Sequence, residues 1–264
     1  MGTTAAGTAV ARKLDSVEAL SAELREHTLL EAAQANELPS LVQAAGRDVN
    51  RLTQELLRRG WLTPWQAGQV LAGRAAQLSF GPYLLTDRLG EGGAGQVFQA
   101  RHRRMRRRVA LKLIRPEVLQ DAELVARFER EIQVASRLSH PNVIHAYDAG
   151  TVGATRFLAL EYAEGIDLDR LLKQSGPLPV ERACDYIRQG ALGLHHAFEH
   201  GLVHRDVKPS NFLLVQGQAK AEVPGYEDSA PAIPSPGPTP WGLVKLLDLG
   251  LARLQRKVDG EKTR

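Results

Sequence analysis

Cysteine, aromatic residues and long apolar runs are scarce in this chain, and each scarcity excludes a class of protein. The 264 residues include one cysteine, so no disulfide can form within the chain. Cys184 is most simply a small apolar residue on a helix, with a reactive thiol as the alternative. No apolar run approaches the roughly 20 residues that span a bilayer, and the first ten residues lack the basic and apolar regions of a secretory signal. We therefore expect a globular cytoplasmic protein without a membrane segment.

The net charge of +4 is modest but unevenly distributed. Residues 101–108 read R-H-R-R-M-R-R-R, a run that alone suggests nucleic acid or an acidic surface. Aromatic residues make up only 5% of the chain, and none interleaves with this run. The run also lies between two predicted strands. A solvated hairpin turn is the favoured interpretation, and no nucleic-acid partner is expected.

Residues 1–80 show helical patterns separated by short breaks. Asp15 followed by Glu18 predicts a capping box that opens a helix over 17–30, and Pro39 predicts a break. Asp48 predicts the cap of a further helix that ends at Gly60, and T-P-W-Q at 63–66 predicts another helix start. The apolar group of Trp61, Leu62 and Trp65 has two interpretations, a docking face or, as favoured, part of this region's own packing.

Residues 204–211 combine an acid, a base and an amide at fixed offsets on a predicted loop, H-R-D-V-K-P-S-N. Phosphoryl transfer needs a carboxylate to take or orient the proton of the attacking hydroxyl. It also needs a cation for the charge of the transferred group and a carbonyl oxygen to help hold magnesium. Asp206, Lys208 and Asn211 are these three residue types. The stretch therefore predicts a phosphoryl-transfer loop.

Two predicted strands enclose a glycine-rich turn that reads L-G-E-G-G-A-G-Q-V from Leu89 to Val97. Glycines let the backbone approach phosphate oxygens, and their N–H groups can point at them. Dinucleotide-binding folds share this spacing but need a helix after the glycines, whereas residues 96–100 are short and compatible with a strand. The pattern favours a triphosphate loop and disfavours a dinucleotide enzyme.

Two further stretches provide a lysine and a carboxylate that phosphoryl transfer can use. Residues 109–114, V-A-L-K-L-I, predict a strand whose Lys112 needs an acidic partner, because burying a lone ammonium is costly. A predicted helix over 121–138 offers Glu129 and Glu131. A later strand over 243–247 leads into Asp248-Leu249-Gly250, and the carboxylate there is the type of oxygen ligand that magnesium prefers.

These motifs resemble, in order, those of the eukaryotic-type protein kinases, and most closely their bacterial serine/threonine members. The catalytic loop is similar to H-R-D-x-x-x-x-N with lysine two residues after the aspartate, V-A-L-K is similar to V-A-I-K, and R-F-E-R-E at 127–131 is similar to the bacterial R-F-x-R-E pattern. D-L-G replaces D-F-G, which keeps the carboxylate. The resemblance covers about residues 83–264.

The resemblance implies an α+β, protein-kinase-like bilobal fold. An amino-terminal lobe over 83–160 would hold a five-stranded antiparallel sheet and one helix, and residues 161–264 would form a partial helical lobe after the helical region 1–80. The implied reaction transfers the γ-phosphoryl group of ATP to a serine or threonine hydroxyl of a protein, with autophosphorylation as one case.

The resemblance also implies residue roles. Asp206 would orient the nucleophile, Lys208 would stabilise the transferred group, Lys112 paired with Glu131 would position the phosphates, and Asp248 with Asn211 would hold Mg²⁺. The adenine would meet the hinge backbone beside the gatekeeper Leu160. The implied nucleotide-binding residues are Leu89, Gly90, Glu91, Gly92, Gly95, Val97, Ala110, Lys112, Glu161 and Ala163.

Two stretches depart from the family pattern. A proline-rich insert of 27 residues, 216–242, predicts a surface spacer, with docking of a proline-recognising partner as the alternative. Few residues follow Gly250, with Thr263 as their only hydroxyl, and the remaining helices of the family's second lobe are absent. The sequence is interpreted as a fragment of a longer kinase or a truncated relative, and the alternative function is a nucleotide-binding pseudokinase acting as an interaction module.

Overall fold

The computed structural model describes residues 14–92, 95–115, 122–215 and 240–248. The chain divides into two compact units, Met1–Gly90 with Phe98–Val109 and Glu91–Val97 with Ala110–Arg264. The proline-rich insert up to residue 239 and Thr263 lie outside the described residues. The division predicted at residues 80 and 160 follows sequence motifs and stays a prediction.

The first unit opens with four α-helices and a 3₁₀ turn. They are α1 (Val17–Glu26), α2 (Ala32–Ala45), α3 (Val49–Arg58), α4 (Pro64–Leu71) and the turn Ala75–Leu78. Asp48 accepts hydrogen bonds from the N–H groups of Asn50 and Arg51, and Thr63 and Gln66 form a capping box. The helix starts predicted at Asp48 and Thr63 are therefore confirmed.

The prediction for α1 is wrong at both ends. Its cap is Ser16, whose hydroxyl accepts from the Ala19 N–H at 3.1 Å, where Asp15 was predicted. The helix ends at Glu26 and not at residue 30, because Thr28 has a positive φ of 50°. This turn lets the Leu29 N–H donate to the Leu24 carbonyl at 3.0 Å and returns Leu29 to the core.

Pro39 does not break the second helix, contrary to the prediction. It lies inside α2, where its missing N–H removes one helical hydrogen bond. Leu38 and Leu41, on either side, are buried in the core of the first unit. Their burial offsets the lost bond, so tertiary packing overrides local propensity here.

The core of the first unit is aliphatic and continuous. Leu62 is buried in it, and Trp61 and Trp65 are partly buried against it, which supports the packing interpretation of this group. The buried members of this core are Val17, Leu20, Leu24, Leu29, Leu30, Leu38, Leu41, Ala45, Leu52, Leu56, Leu62, Ala67, Val70, Ala75, Leu78 and Leu84.

A six-stranded sheet follows, in the order β1-β2-β3-β4-β6-β5. Five strands were predicted, and β1 is an additional two-residue strand that pairs antiparallel with β2. The strands are β1 (Ser79–Phe80), β2 (Tyr83–Gly92), β3 (Gly95–His102), β4 (Arg108–Ile114), β5 (Ala146–Val152) and β6 (Thr155–Glu161). A sheet followed mainly by helices is the predicted α+β class.

Residues 143–145 precede β5 and are not part of that strand. The Ile144 N–H donates to the Leu246 carbonyl at 3.0 Å, and the Leu246 N–H donates to the Asn142 carbonyl at 2.8 Å. This segment therefore pairs with a strand of a second, three-stranded sheet. The bonding of residues 142–144 to Leu246 is a long-range contact that strand propensity does not indicate.

The second unit contains the remaining helices and a three-stranded sheet in the order β7-β8-β9. Both pairs are antiparallel, with Leu213 opposite Lys245. The elements are α5 (Ala122–Ala135), β7 (Gly165–Asp167), α6 (Leu168–Ser175), α7 (Val180–Glu199), the 3₁₀ turn Pro209–Asn211, β8 (Phe212–Val215) and β9 (Leu243–Leu246). Among the described helices, none combines the length and the hydropathy that a bilayer-spanning segment requires.

The arginine run is only partly a solvated turn. Residues 104–108 are exposed at the β3–β4 turn, as predicted. Arg101, however, forms an ion pair with Glu31, and Arg103 donates to the Thr28 carbonyl and to the Ser79 hydroxyl. Two of the arginines therefore tie β3 to the helices of the first unit.

Candidate active site

The predicted catalytic loop follows α7 and is held by a buried histidine. His204 is 3% exposed, and its Nε2 donates to the Leu247 carbonyl at 2.9 Å. The Asp206 N–H donates to His204 Nδ1 at 3.3 Å. Because a carbonyl only accepts, these two contacts assign the ring proton to Nε2. The imidazole thus fixes the backbone of Asp206 against the residue that precedes Asp248.

The structure brings Asp206, Lys208 and Asn211 together. Lys208 Nζ lies 2.7 Å from Asp206 Oδ2, and Asn211 Nδ2 donates to the same Oδ2 at 3.2 Å. Asn211 Nδ2 also donates to the Asp206 carbonyl at 2.7 Å. Asn211 is buried, while the Lys208 side chain is 48% exposed. The carboxylate therefore has a fixed position, and the Asp206 side chain remains 19% exposed.

Lys112 and Asp248 form the second charged group. Lys112 on β4 is 5% exposed, and its Nζ donates to Asp248 Oδ1 at 2.6 Å. The acidic partner required for this buried lysine is present. Glu131 lies on α5, but its side chain is outside the described part of the structure, so the pairing predicted for it stays a prediction.

The electrostatics of Asp248 favour its charged form. Partial burial alone would raise the pKa of this carboxyl group, whose side chain is 39% exposed, yet the charge of Lys112 and its hydrogen bond outweigh this effect. The positive charge of Lys208 acts in the same direction, and the pKa of Asp248 falls below its ordinary value. Its φ of 51° is unusual for a residue other than glycine. Asp248 is thus an ionised carboxylate in a specific backbone conformation.

The catalytic loop and the strand that leads to Asp248 are joined directly. The Leu247 N–H donates to the Asn211 carbonyl at 2.8 Å, and the Leu247 carbonyl accepts from His204. Asn211 and Asp248, the two predicted magnesium ligands, are therefore held through one intervening residue. This arrangement presents an amide and a carboxylate from two elements to one region.

The predicted phosphate turn lies at the ends of β2 and β3. Gly95 has a steric reason to be glycine, since a Cβ there would lie 1.9 Å from the Leu113 carbonyl oxygen. Glu91 pairs with Arg115 in the second unit. The other predicted nucleotide residues are Leu89, Gly90 and Gly92 in β2, with Val97 in β3 and Ala110 in β4. Val97 and Ala110 are half-buried.

The predicted hinge begins at the end of β6. Glu161 is its last residue, and Ala163 follows, half-buried. Leu160 lines an apolar cavity that reaches Asp248, with Ala135, Ile144, Ala146, Leu158 and Leu246 as the other lining residues. The cavity is small and lies between the predicted gatekeeper and Asp248, within the second unit.

Sequence reasoning missed several of the buried polar groups among the described residues, including Lys245 and Gln189. Lys245 on β9 donates to Glu161 Oε2 at 2.9 Å, and it was detectable because it stands among apolar residues as Lys112 does. Gln189 on α7 was not detectable. Its Oε1 accepts from Asn142 Nδ2 and from the Val244 N–H, which ties α7 to β9. No local pattern marks a contact of that sequence separation.

Comparison with known proteins places these motifs in a family. The family described as "Protein kinase domain" matches residues 83–263. Serine/threonine-protein kinase PknD of Mycobacterium tuberculosis is 43% identical over 135 residues, which are 51% of this chain and 20% of PknD. PknB of Mycolicibacterium smegmatis is 35% identical over 175 residues, which are 65% of this chain and 24% of PknB. The chain thus spans only about a fifth to a quarter of these curated relatives.

Solved structures agree on the fold. The kinase domain of Mycobacterium tuberculosis PknI is similar with a TM-score of 0.53 and 28% identity, over 66% of this chain and 61% of that domain. A second crystal structure of the same domain gives the same TM-score of 0.53, over 60% of its length. The predicted α+β protein-kinase fold is confirmed. Since the family match covers more than half of the 264 residues, the chain belongs to the protein kinase domain family, among relatives that are bacterial eukaryotic-type serine/threonine kinases.

Proposed function

We propose that this chain transfers the γ-phosphoryl group of ATP to serine or threonine hydroxyls of proteins. The observation that carries the proposal is the cluster of Asp206, Lys208 and Asn211, joined through Leu247 to the Lys112–Asp248 pair. Each member is a residue type that phosphoryl transfer requires. The serine/threonine specificity rests on the names of the relatives and on the lysine two residues after Asp206.

In the proposed reaction, the substrate hydroxyl oxygen attacks the γ-phosphorus, and the bond to the β–γ bridging oxygen breaks to release ADP. Asp206 takes the hydroxyl proton, since its carboxylate is fixed by Asn211 and by the backbone contact with His204. Lys208 lies 2.7 Å from that carboxylate and would meet the charge on the transferred group. Because the Asp206 carboxylate and the Lys208 ammonium are already oriented before the reaction, less entropy is lost on reaching the transition state, and the activation barrier is lower.

The donor set fits a magnesium ion. The described contacts engage Oδ1 of Asp248 and Nδ2 of Asn211, which leaves an oxygen of each side chain for a hard cation. Magnesium accepts few protein ligands and keeps phosphate oxygens and waters, so one carboxylate and one amide suffice. When bound, the ion neutralises phosphate charge. The lowered pKa of Asp248 keeps this ligand ionised at neutral pH.

Incorporation of radiolabelled γ-phosphate tests the proposal. The purified chain is incubated with Mg-ATP, alone and with a generic basic protein, beside an Asp206→Asn variant. We expect label in the wild type and a loss of about 10²–10⁴-fold in the variant, the usual effect of removing a general base. The matched control is Asp169→Asn, which removes an exposed carboxylate that pairs with Lys173. Equal label in Asp206→Asn and the wild type contradicts the assignment.

A second candidate is a nucleotide-binding interaction module without turnover. One face of α7 favours it, since Val180, Ile187 and Phe198 are 66–73% exposed at helical spacing. This candidate predicts a folded wild type that binds Mg-ATP and gives no label above Asp206→Asn. The labelling experiment with a parallel binding measurement therefore separates the two candidates.

A further inference from the structure

Lys245 is a second buried lysine in the second unit, and the proposed reaction gives it no task. Its side chain is 9% exposed, and its Nζ donates to Glu161 Oε2 at 2.9 Å. A buried ammonium needs such a partner, because it loses its hydration when it is removed from water. The partner lies 84 residues away in sequence. The contact therefore joins two elements that the chain could otherwise place independently.

The Glu161 end of this pair is held from several directions. The Glu161 N–H donates to the His145 carbonyl at 2.8 Å, and the His145 N–H approaches Glu161 Oε2 at 3.3 Å. His145 is itself anchored, because its Nδ1 lies 3.1 Å from the Leu138 carbonyl. The carboxylate thus fixes the last residue of β6, where the predicted adenine-binding backbone begins.

The Lys245 end belongs to the strand that carries the predicted metal ligand. Lys245 is opposite Leu213 of β8, and its neighbour Leu246 bonds through its backbone to Asn142 and Ile144. Asp248 follows three residues later. One ion pair therefore connects the predicted adenine edge to the strand that sets the position of the carboxylate.

Stability alone is a poor reason for this pair. Replacing a buried ion pair with apolar residues of similar volume is often neutral or stabilising, because desolvation offsets the attraction. What an ion pair does provide is a defined distance between two groups. A nucleotide that meets the hinge at one end and Asp248 at the other needs such a defined distance.

We propose that the Lys245–Glu161 pair positions the adenine-binding end of the site relative to its phosphate-binding end. This inference rests on the proposed nucleotide site. Neither residue acts on the reacting atoms, so both are positioning residues. Removing the pair lowers affinity for ligands that contact both ends, and leaves affinity for ligands that contact only the phosphate end.

The experiment compares two probes, Mg-ATP and Mg-tripolyphosphate, which lacks the adenosine. Dissociation constants are measured by calorimetry for the wild type, Lys245→Met and Lys245→Met/Glu161→Gln. We expect Lys245→Met to weaken Mg-ATP binding about tenfold or more and Mg-tripolyphosphate binding less than about twofold. The double variant recovers part of the loss, because it no longer buries an unpaired carboxylate.

Two further variants keep the result interpretable. Lys173→Met makes the same change at an exposed ion pair with Asp169, and both dissociation constants should stay at wild-type values. Glu161→Gln keeps the acceptor for the His145 N–H but removes the charge, and it should lose Mg-ATP affinity selectively by about threefold. This variant decides the question if Lys245→Met does not fold.

Two results overturn this inference but leave the proposed nucleotide site standing. One is an unchanged Mg-ATP affinity in both Lys245→Met and Glu161→Gln. The other is an equal loss of affinity for both probes, which indicates that the ion pair is merely structural. A wild type that binds neither probe overturns the proposed nucleotide site, and this inference falls with it. A wild type that binds Mg-ATP no better than Mg-tripolyphosphate also overturns the inference, since no adenine contact then exists to position.

Discussion

Among the described residues, the two compact units differ in what they bury. In the first unit the buried side chains are mainly aliphatic, with Tyr83 and Phe98 as buried aromatic residues. Gln66 is the one buried residue of the amide or charged type among those described there. The second unit buries a set of polar and charged side chains: Lys112, Asn142, Asp185, Gln189, His204, Asn211 and Lys245. Each such group costs free energy unless it finds partners. The second unit therefore depends on partner geometry to a degree that the first does not.

The buried polar groups of the second unit lie around the candidate site. Lys112, His204 and Asn211 contact Asp248 or the residue before it, and Gln189 and Asn142 bond to β9. Residues that break the rules of core packing without a compensating gain in stability are expected at functional sites. The contrast between the units is the one we expect if the buried polar groups of the second unit serve the proposed reaction.

The aliphatic interior of the first unit gives the largest expected change in stability. Leu52 on α3 is fully buried, so Leu52→Ala should lower the free energy of unfolding by about 2–5 kcal/mol. Urea unfolding followed by circular dichroism measures it. Leu172→Ala, at a position that is 38% exposed in the second unit, should lose far less. If Leu52→Ala and Leu172→Ala lowered the free energy of unfolding by similar amounts, the aliphatic interior of the first unit would not have the stabilising role that the comparison of the two units assigns to it.

The polar interior of the second unit gives the next largest change. Gln189→Leu leaves the Val244 N–H without its side-chain acceptor and removes one of the two acceptors of the Asn142 amide, which should cost about 1–3 kcal/mol. It should also weaken Mg-ATP binding, because β9 leads to Asp248. Thermal unfolding and calorimetry measure the two effects. Gln133→Leu, at an exposed site on α5, is the control and should change neither quantity.

A smaller effect concerns pH. Burial lowers the pKa of His140 to about 4, with the neighbouring charges of His196 and Lys245 acting in the same direction. His196 also contacts His200, so three histidine rings adjoin. Because the pKa in the folded state lies below its ordinary value of 6.5, neutral His140 contributes stability above pH 6.5. That contribution is lost as the pH falls toward 4.

The comparison that isolates this effect uses His140→Asn, which keeps an acceptor for the Asn142 N–H but does not titrate. Between pH 6.5 and 4, the melting temperature of the wild type should fall more steeply than that of the variant. His195→Asn removes an exposed histidine and should follow the wild type. If the melting temperatures of the wild type and His140→Asn fell equally steeply with decreasing pH, His140 would not have the lowered pKa that its burial predicts.

Many helix starts and strands were predictable because they depend on residues that are close together in the sequence. The caps at Asp48 and Thr63 and the motif strands around Lys112 and Asp248 depend on residues close in sequence, and the structure contains them. Pro39 was misjudged because the packing of flanking leucines is not a local property. The bond from Gln189 to Val244 spans 55 residues, and no periodicity encodes it.

The candidate site was likewise predictable where residue type and local spacing identify its members, and not where a contact joins residues that are distant in sequence. Asp206, Lys208 and Asn211 were identified from their types and spacing, and they meet in the structure. The residues around Lys112 predicted only that its partner is acidic, and the family resemblance named Glu131, whose side chain lies outside the described residues. The described contact is with Asp248. Lys245 carried the same signal of a lysine among apolar neighbours, and it also has a carboxylate partner.

Thermal unfolding of Lys112→Met, with and without Mg-ATP, tests most directly whether the buried charges of the second unit serve function. Methionine fills the volume of lysine without its charge, and Asp248 is 39% exposed and can be hydrated. The account predicts an unliganded melting temperature close to that of the wild type, and loss of the stabilisation that Mg-ATP gives the wild type. A variant that melts much lower than the wild type but is still stabilised by Mg-ATP would contradict it.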